Sequence, residues 1–144
     1  MVKILCGASM ILLLTFAVGL AQETSQPKSE LTVETELCTG IEERMPVGMA
    51  DSFAADVDKV WLWCRVTGAT DTTVVKHVYY RDGVEMATVE LPVKSSSWRT
   101  WSSKTILPSW TGKWEIKILD ANDNVLATVP FTVTPAMASD DSEQ

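Results

Sequence analysis

The sequence predicts an all-β fold, an immunoglobulin-like antiparallel β-sandwich of about seven strands. Two observations carry this. From residue 31 to residue 134 apolar and polar residues alternate with period two in stretch after stretch, and no helical period competes. Turn signals interrupt the alternation about every 8–12 residues, the spacing of a sandwich. A small barrel is the alternative closure.

"LTVETEL", residues 31–37, alternates with Leu31, Val33, Thr35 and Leu37 on one face. "CTGIEERMPVGMADSF" breaks the pattern with Gly40, Pro46 and Gly48 and reads as a loop or irregular edge segment. "DVDKVWLWCRV", residues 56–66, is a strong strand. Val60, Leu62, Cys64 and Val66 fall on one face, and Trp61, Trp63 and Arg65 on the other. "TTVVKHVYY", residues 72–80, follows, and Arg81-Asp82-Gly83 turns it into "VEMATVELPV", a hairpin. Trp98 to Ile106 is extended, and Pro108 and Gly112 bracket a loop that holds Trp110. In "KWEIKIL" Trp114, Ile116 and Ile118 point one way and the charged residues the other. "DANDN" is a turn. "VLATVPFTV" closes the domain with Val125, Ala127, Val129, Phe131 and Val133 on one face, and Pro130 requires an edge or a bulge at its position.

The ends read differently. Lys3, the apolar run Ile4 to Val18 and the Gly19-Leu20-Ala21 ending form a secretory signal peptide over residues 1–21. The run is shorter than a membrane span, and an uncleaved anchor is the alternative. Residues 22–30 form a polar leader, 31–134 the sandwich domain and 135–144 an acidic, disordered tail. These boundaries place the protein in the periplasm or outside the cell, with no stable membrane span once the signal is removed.

Export makes the remaining cysteines informative. Cys38 and Cys64 are an even pair in an oxidising compartment, and the expectation is a disulfide worth about 3–4 kcal/mol. Two buried thiols are the alternative. A metal site is not expected, because two cysteines and the single histidine, His77, lack zinc-ligand spacing.

The net charge of −7 is unevenly spread. Between residues 53 and 134, six Lys and three Arg balance six Asp and three Glu. The acidity sits in Glu23, Glu30, Glu34, Glu36, Glu42 and Glu43 and in Asp140, Asp141 and Glu143. A neutral body with acidic ends excludes a nucleic-acid surface, which needs a basic stripe, and argues against anionic lipid.

"VWLWCRVTGA", "HVYYRDG", "SSWRTWSSKTILPSWTGKWEIKILD" and "VLATVPFTV", in this order, resemble a bacterial family of domains of unknown function, family 2914. The resemblance spans Phe53 to Thr134. It implies a compact β domain, often exported or joined to membrane segments, and it brings no catalytic residue.

The chemistry-bearing residues are sparse. His77 is mid-strand and lies outside any G-x-S-x-G setting, so it reads as a packed or hydrogen-bonded histidine, with a hydrolase as the sharper alternative. Asp56, Asp58 and Asp82 read as solvated strand-start and turn residues, not as paired glycosidase carboxylates. In "DANDN" the spacing of Asp120, Asn122 and Asn124 suits a calcium loop, but Val125 and Phe131 stand where glycine and glutamate are needed. No cofactor is called for.

Tryptophan remains. Trp61 and Trp63 make the second face of their strand apolar as well, so either another segment covers them or they meet a ligand. Trp98 and Trp101 face opposite ways, and Trp114 belongs to the core. The expected function is therefore a non-catalytic binding or assembly module of the cell envelope. Its partner, an envelope protein or a glycan, would bind through Trp61, Trp63, Trp101 and Trp110, with Arg65 and Arg99 as polar partners. A carbohydrate-binding module is the nearer alternative and a His77 hydrolase the farther one.

Overall fold

The computed structural model describes residues 29–137, which hold ten β-strands and no helix. The strands are β1 (Thr32–Cys38), β2 (Gly40–Glu42), β3 (Met45–Val47), β4 (Ser52–Ala54), β5 (Lys59–Thr67), β6 (Thr73–Arg81), β7 (Val84–Val93), β8 (Ser97–Thr105), β9 (Gly112–Leu119) and β10 (Val125–Thr134). The signal peptide expected over residues 1–21, residues 22–28 of the expected leader and the residues beyond 137 lie outside the described residues.

β1-β5-β8 form one sheet and β4-β10-β9-β6-β7 the other. The order is immunoglobulin-like, but the fourth long strand, β7, pairs with β6 instead of with β8, so three strands face four, and β4 is added beside the last strand. All pairs are antiparallel except β4 with β10. Seven long strands match the expected number. The other three, β2, β3 and β4, come from the segment read as a loop: β2 and β3 form a separate hairpin, and β4 joins the second sheet.

The alternating residues of both sheets make the core. Val60, Leu62, Cys64 and Val66 of β5 face Val75 and Tyr79 of β6 and Trp114, Ile116 and Ile118 of β9, all buried. Each fully buried Val or Ile contributes about 1.5–3 kcal/mol. At one end Trp114 stacks on Phe131 with ring centroids 5.7 Å apart, and Phe131 meets Phe53 edge-on at 6.0 Å.

The turns follow from the residues that form them. Asp82 and Gly83 both adopt positive φ, the two-residue turn that matches strand twist, between β6 and β7. In "DANDN" the backbone N–H groups of Asn122 and Asn124 donate to Asp120 Oδ1 at 2.9 Å, and Asn124 Nδ2 donates to Oδ2. The motif is a capped hairpin turn. Burial pushes the Asp120 carboxyl up, but the hydrogen bonds from Asn124, Ser29 and Asn122 outweigh it and hold the group below its ordinary value.

Two expectations need correction. Val125 does not share the face of Ala127, Val129, Phe131 and Val133. A bulge lies between Val125 and Ala127, so Val125 pairs with Leu119 and is exposed. Pro130 sits just before the stretch 132–134 that pairs with β4, where its missing N–H costs no ladder bond on that side.

The second correction is the disulfide. Cys38 and Cys64 are free, buried thiols. The β1–β5 register pairs Cys38 with Trp61 and Cys64 with Thr35. The cysteines are therefore three ladder positions apart, roughly 10 Å, and an odd separation puts them on opposite faces of the sheet. Bridging needs Cα atoms within about 7 Å and Cβ vectors that converge. The N-terminal segment is fastened to β5, as expected, but by a seven-residue ladder.

Candidate functional site

The outer face of the three-stranded sheet gathers most of the predicted residues. Cross-strand register sets them in rows: Cys38–Trp61–Ser103, Glu36–Trp63–Trp101 and Glu34–Arg65–Arg99. Five of the six predicted residues, Trp61, Trp63, Trp101, Arg65 and Arg99, thus share one surface. Trp110 does not. It lies in the β8–β9 loop, 6.1 Å from the Trp114 ring, with Lys104 Nζ 4.9 Å above its centroid.

The β2–β3 hairpin covers part of this face. The Trp63 indole N–H donates to the Arg44 carbonyl at 2.9 Å, and Trp63 is only 4% exposed. The Arg44 guanidinium lies 5.8 Å from the Trp101 centroid and 5.9 Å from that of Trp98. Arg99 reaches Met45 Sδ at 3.3 Å. Cys38 is also enclosed. Burial raises its thiol pKa, and hydrogen bonds with the Gly40 and Val47 backbone partly offset this. Trp61, Trp98 and Trp101 stay half-buried. The turn that carries Arg44 is strained: Glu43 and Arg44 adopt φ of 48° and 64° without glycine or asparagine.

Arg65 sits 5.7 Å over the Trp63 ring and pairs with Glu34 at 3.3 Å. Arg44, Met45 and Glu34 are members of the site that sequence reasoning missed. Glu34 was accessible in principle through the parity of β1. Arg44 carried no signal, because the Glu43-Arg44 dipeptide is not a recognisable hairpin turn.

His77 belongs to a different place, the core between the sheets. It is fully buried. Ser102 Oγ of β8 lies 2.6 Å from His77 Nδ1 and 2.6 Å from the Tyr79 hydroxyl, and Cys64 Sγ of β5 lies 3.4 Å from His77 Nε2. Tyr79 O–H donating to Ser102, Ser102 O–H to Nδ1 and Nε2–H to Cys64 satisfies every group. Burial pushes His77 down to about 4, Cys64 up to about 12 and, against the Ser102 hydrogen bond, Tyr79 up to about 12. These directions favour a neutral imidazole beside a neutral thiol. An activated nucleophile needs the reverse. The arrangement can tie the two sheets together and fix the imidazole orientation.

Asp56, Asp58 and Asp82 are exposed. Among the described residues no group of three or more His, Cys, Asp or Glu side chains is placed to hold a metal ion. Shallow grooves open on the surface of the described residues. One of about 360 Å³ lies at the strand ends, between the Gly68–Thr73 segment and the Asp120 turn.

Strand order and core define the described domain as an immunoglobulin-like β-sandwich, with Trp63 and Trp101 of one outer face beneath a short hairpin. Residues 72–133, from the start of β6 almost to the end of β10, match the family described as protein of unknown function (DUF2914). The "VWLWCRVTGA" block of β5 lies outside that match. No curated protein matches the chain.

Proposed function

We propose that the protein is a non-catalytic, exported binding or assembly module. It engages a partner protein through the outer face of β1-β5-β8 and the hairpin above it. The observation that carries this reading is the register of Trp61, Trp63, Trp101, Arg65 and Arg99 on one surface, with Arg44 held between two tryptophans. Tryptophan and arginine dominate protein interface hot spots. Arg44 lies over Trp98 and Trp101 and Arg65 over Trp63, which leaves little bare ring for a sugar and favours a protein over a glycan. The burial and neutrality of His77, Ser102 and Cys64 support a structural role for that cluster over hydrolysis.

A photo-crosslinking residue at Ser103, beside Trp61 on this face, tests the reading against the same residue at Thr128, on the outer side of the opposite sheet. The expected result in envelope extract is crosslinked product from position 103 alone. Equal products from both positions, or none from 103, would remove the face from consideration.

A further inference from the structure

The rows of the outer face are incomplete in charge. Glu34, Arg65 and Arg99 stand directly side by side across three strands, so two guanidinium-bearing residues are cross-strand neighbours with a single carboxylate at one end of the row. Like charges directly opposite are destabilising unless something neutralises them. Glu34 neutralises Arg65 at 3.3 Å. Among the described residues Arg99 has no carboxylate partner and reaches only the Met45 sulfur, and Arg44 has none either. Both arginines lie on the β8 side of the face, and β8 pairs with β5 alone. Its other edge is a nine-residue strand edge that no other strand covers among the described residues. Such an edge is a template for one more strand.

We propose that the free edge of β8 receives an extended acidic segment of a separate partner protein as a fourth strand. This rests on the reading of the face as a binding surface and names the chemistry of its partner. A strand laid against β8 puts one side chain in line with the Glu34–Arg65–Arg99 row. A carboxylate there completes a row of balanced charge, negative, positive, positive, negative. Two residues along the partner strand, the next same-face side chain lies in the Glu36–Trp63–Trp101 row, beneath Arg44. A second carboxylate there meets the other unpaired guanidinium. Alternating acidic residues in an extended segment are thus the pattern the edge selects, with ladder hydrogen bonds supplying affinity and the arginines supplying choice. The strained Glu43-Arg44 turn fits this use, because strain of this kind persists where a side chain must be held ready for a ligand. The chain's own acidic strand is a poorer occupant: in β1 Glu34 is already engaged with Arg65, and Cys38 is covered by the hairpin.

Fluorescence anisotropy with the purified chain tests this. The probe is a labelled peptide of alternating glutamate in a threonine and valine background. Its controls are the glutamine counterpart and a glutamate peptide with prolines at the intervening positions, which keeps the charge and removes ladder donors. The glutamate peptide is expected to bind, the glutamine peptide at least about tenfold more weakly, and the proline peptide not measurably. Arg99→Gln and Arg44→Gln are each expected to weaken the glutamate peptide at least about tenfold while keeping the parent's thermal midpoint. Equal binding of glutamate and glutamine peptides, binding of the proline peptide, indifference to Arg99→Gln, or no binding at all overturns the proposal. A concentration-dependent dimer in sedimentation that Arg99→Gln abolishes would assign the edge to a second copy and also overturn it. Crosslinks from position 103 without peptide binding would keep the binding face and remove only the acidic strand, and peptide binding without those crosslinks would do the reverse.

Discussion

Cys38 and Cys64 lie on opposite faces of the same sheet, three ladder positions apart, although β1 and β5 are hydrogen-bonded neighbours. The chain therefore carries two buried thiols in a strand pair held by its backbone ladder and the Arg65–Glu34 pair, with no covalent bridge. Non-reducing mass analysis of the folded protein is expected to find both thiols free, with labelling by a maleimide only after denaturant is added. Reductant is expected to leave the thermal midpoint within about 1 °C, whereas loss of a native bridge would cost about 2–5 kcal/mol and shift it by many degrees.

His77 links stability to pH. In the folded protein it titrates near 4, against an ordinary 6.5, because burial disfavours the imidazolium. The groups facing it from β5, β6 and β8 are Cys64, Tyr79 and Ser102, none of them an anion. Below pH 6.5 the unfolded chain takes up a proton that the folded chain refuses. Stability then falls as pH drops from 6.5 to 4, by about 3 kcal/mol in all, and this contribution levels off below pH 4. Asp120 acts in the same direction but lower: its folded value lies beneath 3.8, so the stability it adds is lost only as pH falls further. Urea midpoints between pH 4 and 7 check the window, and His77→Gln is expected to flatten it.

Ser102 is the joint of the buried network, since both His77 and Tyr79 depend on it. Ser102→Ala leaves two buried polar groups short of a partner and is expected to cost about 2–4 kcal/mol in urea denaturation. Ser102→Thr, which keeps the hydroxyl, is expected to recover part of that loss, within the limits of added bulk.

The hairpin offers a prediction of opposite sign. Glu43 adopts φ of 48° in a turn that asparagine tolerates better. Glu43→Asn is expected to stabilise the protein by about 0.5–1 kcal/mol while leaving Arg44 over its tryptophans. Trp63→Phe, which loses the 2.9 Å bond to the Arg44 carbonyl, is expected to destabilise by about 1–3 kcal/mol and to raise hydrogen exchange in residues 40–47 first.

The long strands were legible because their side chains report burial directly. In β9, Trp114, Ile116 and Ile118 alternate with Lys113, Glu115 and Lys117, and only one register satisfies both sides. β2, β3 and β4 were not legible: three residues are too few to display a period, and Glu43-Arg44 lacks turn chemistry. Parity within β5 placed Trp61 and Trp63 together, but their alignment with Trp101 depends on a β5–β8 register that neither strand encodes alone. The same limit hid the separation of the cysteines. It also hid the meeting of Cys64, His77 and Ser102, which join three strands in two sheets. At Val125, one extra residue in the strand defeated simple alternation.

The aromatic and arginine face is the proposed working surface of this domain. Trp61→Ala combined with Trp101→Ala removes its two half-buried rings and leaves the core residues in place. The most direct measurement is capture of proteins from envelope extract by the immobilised protein and by this double variant, with circular dichroism confirming that both are folded. The folded variant is expected to lose the partners the parent retains. A folded variant that captures the same set in the same amounts would contradict it.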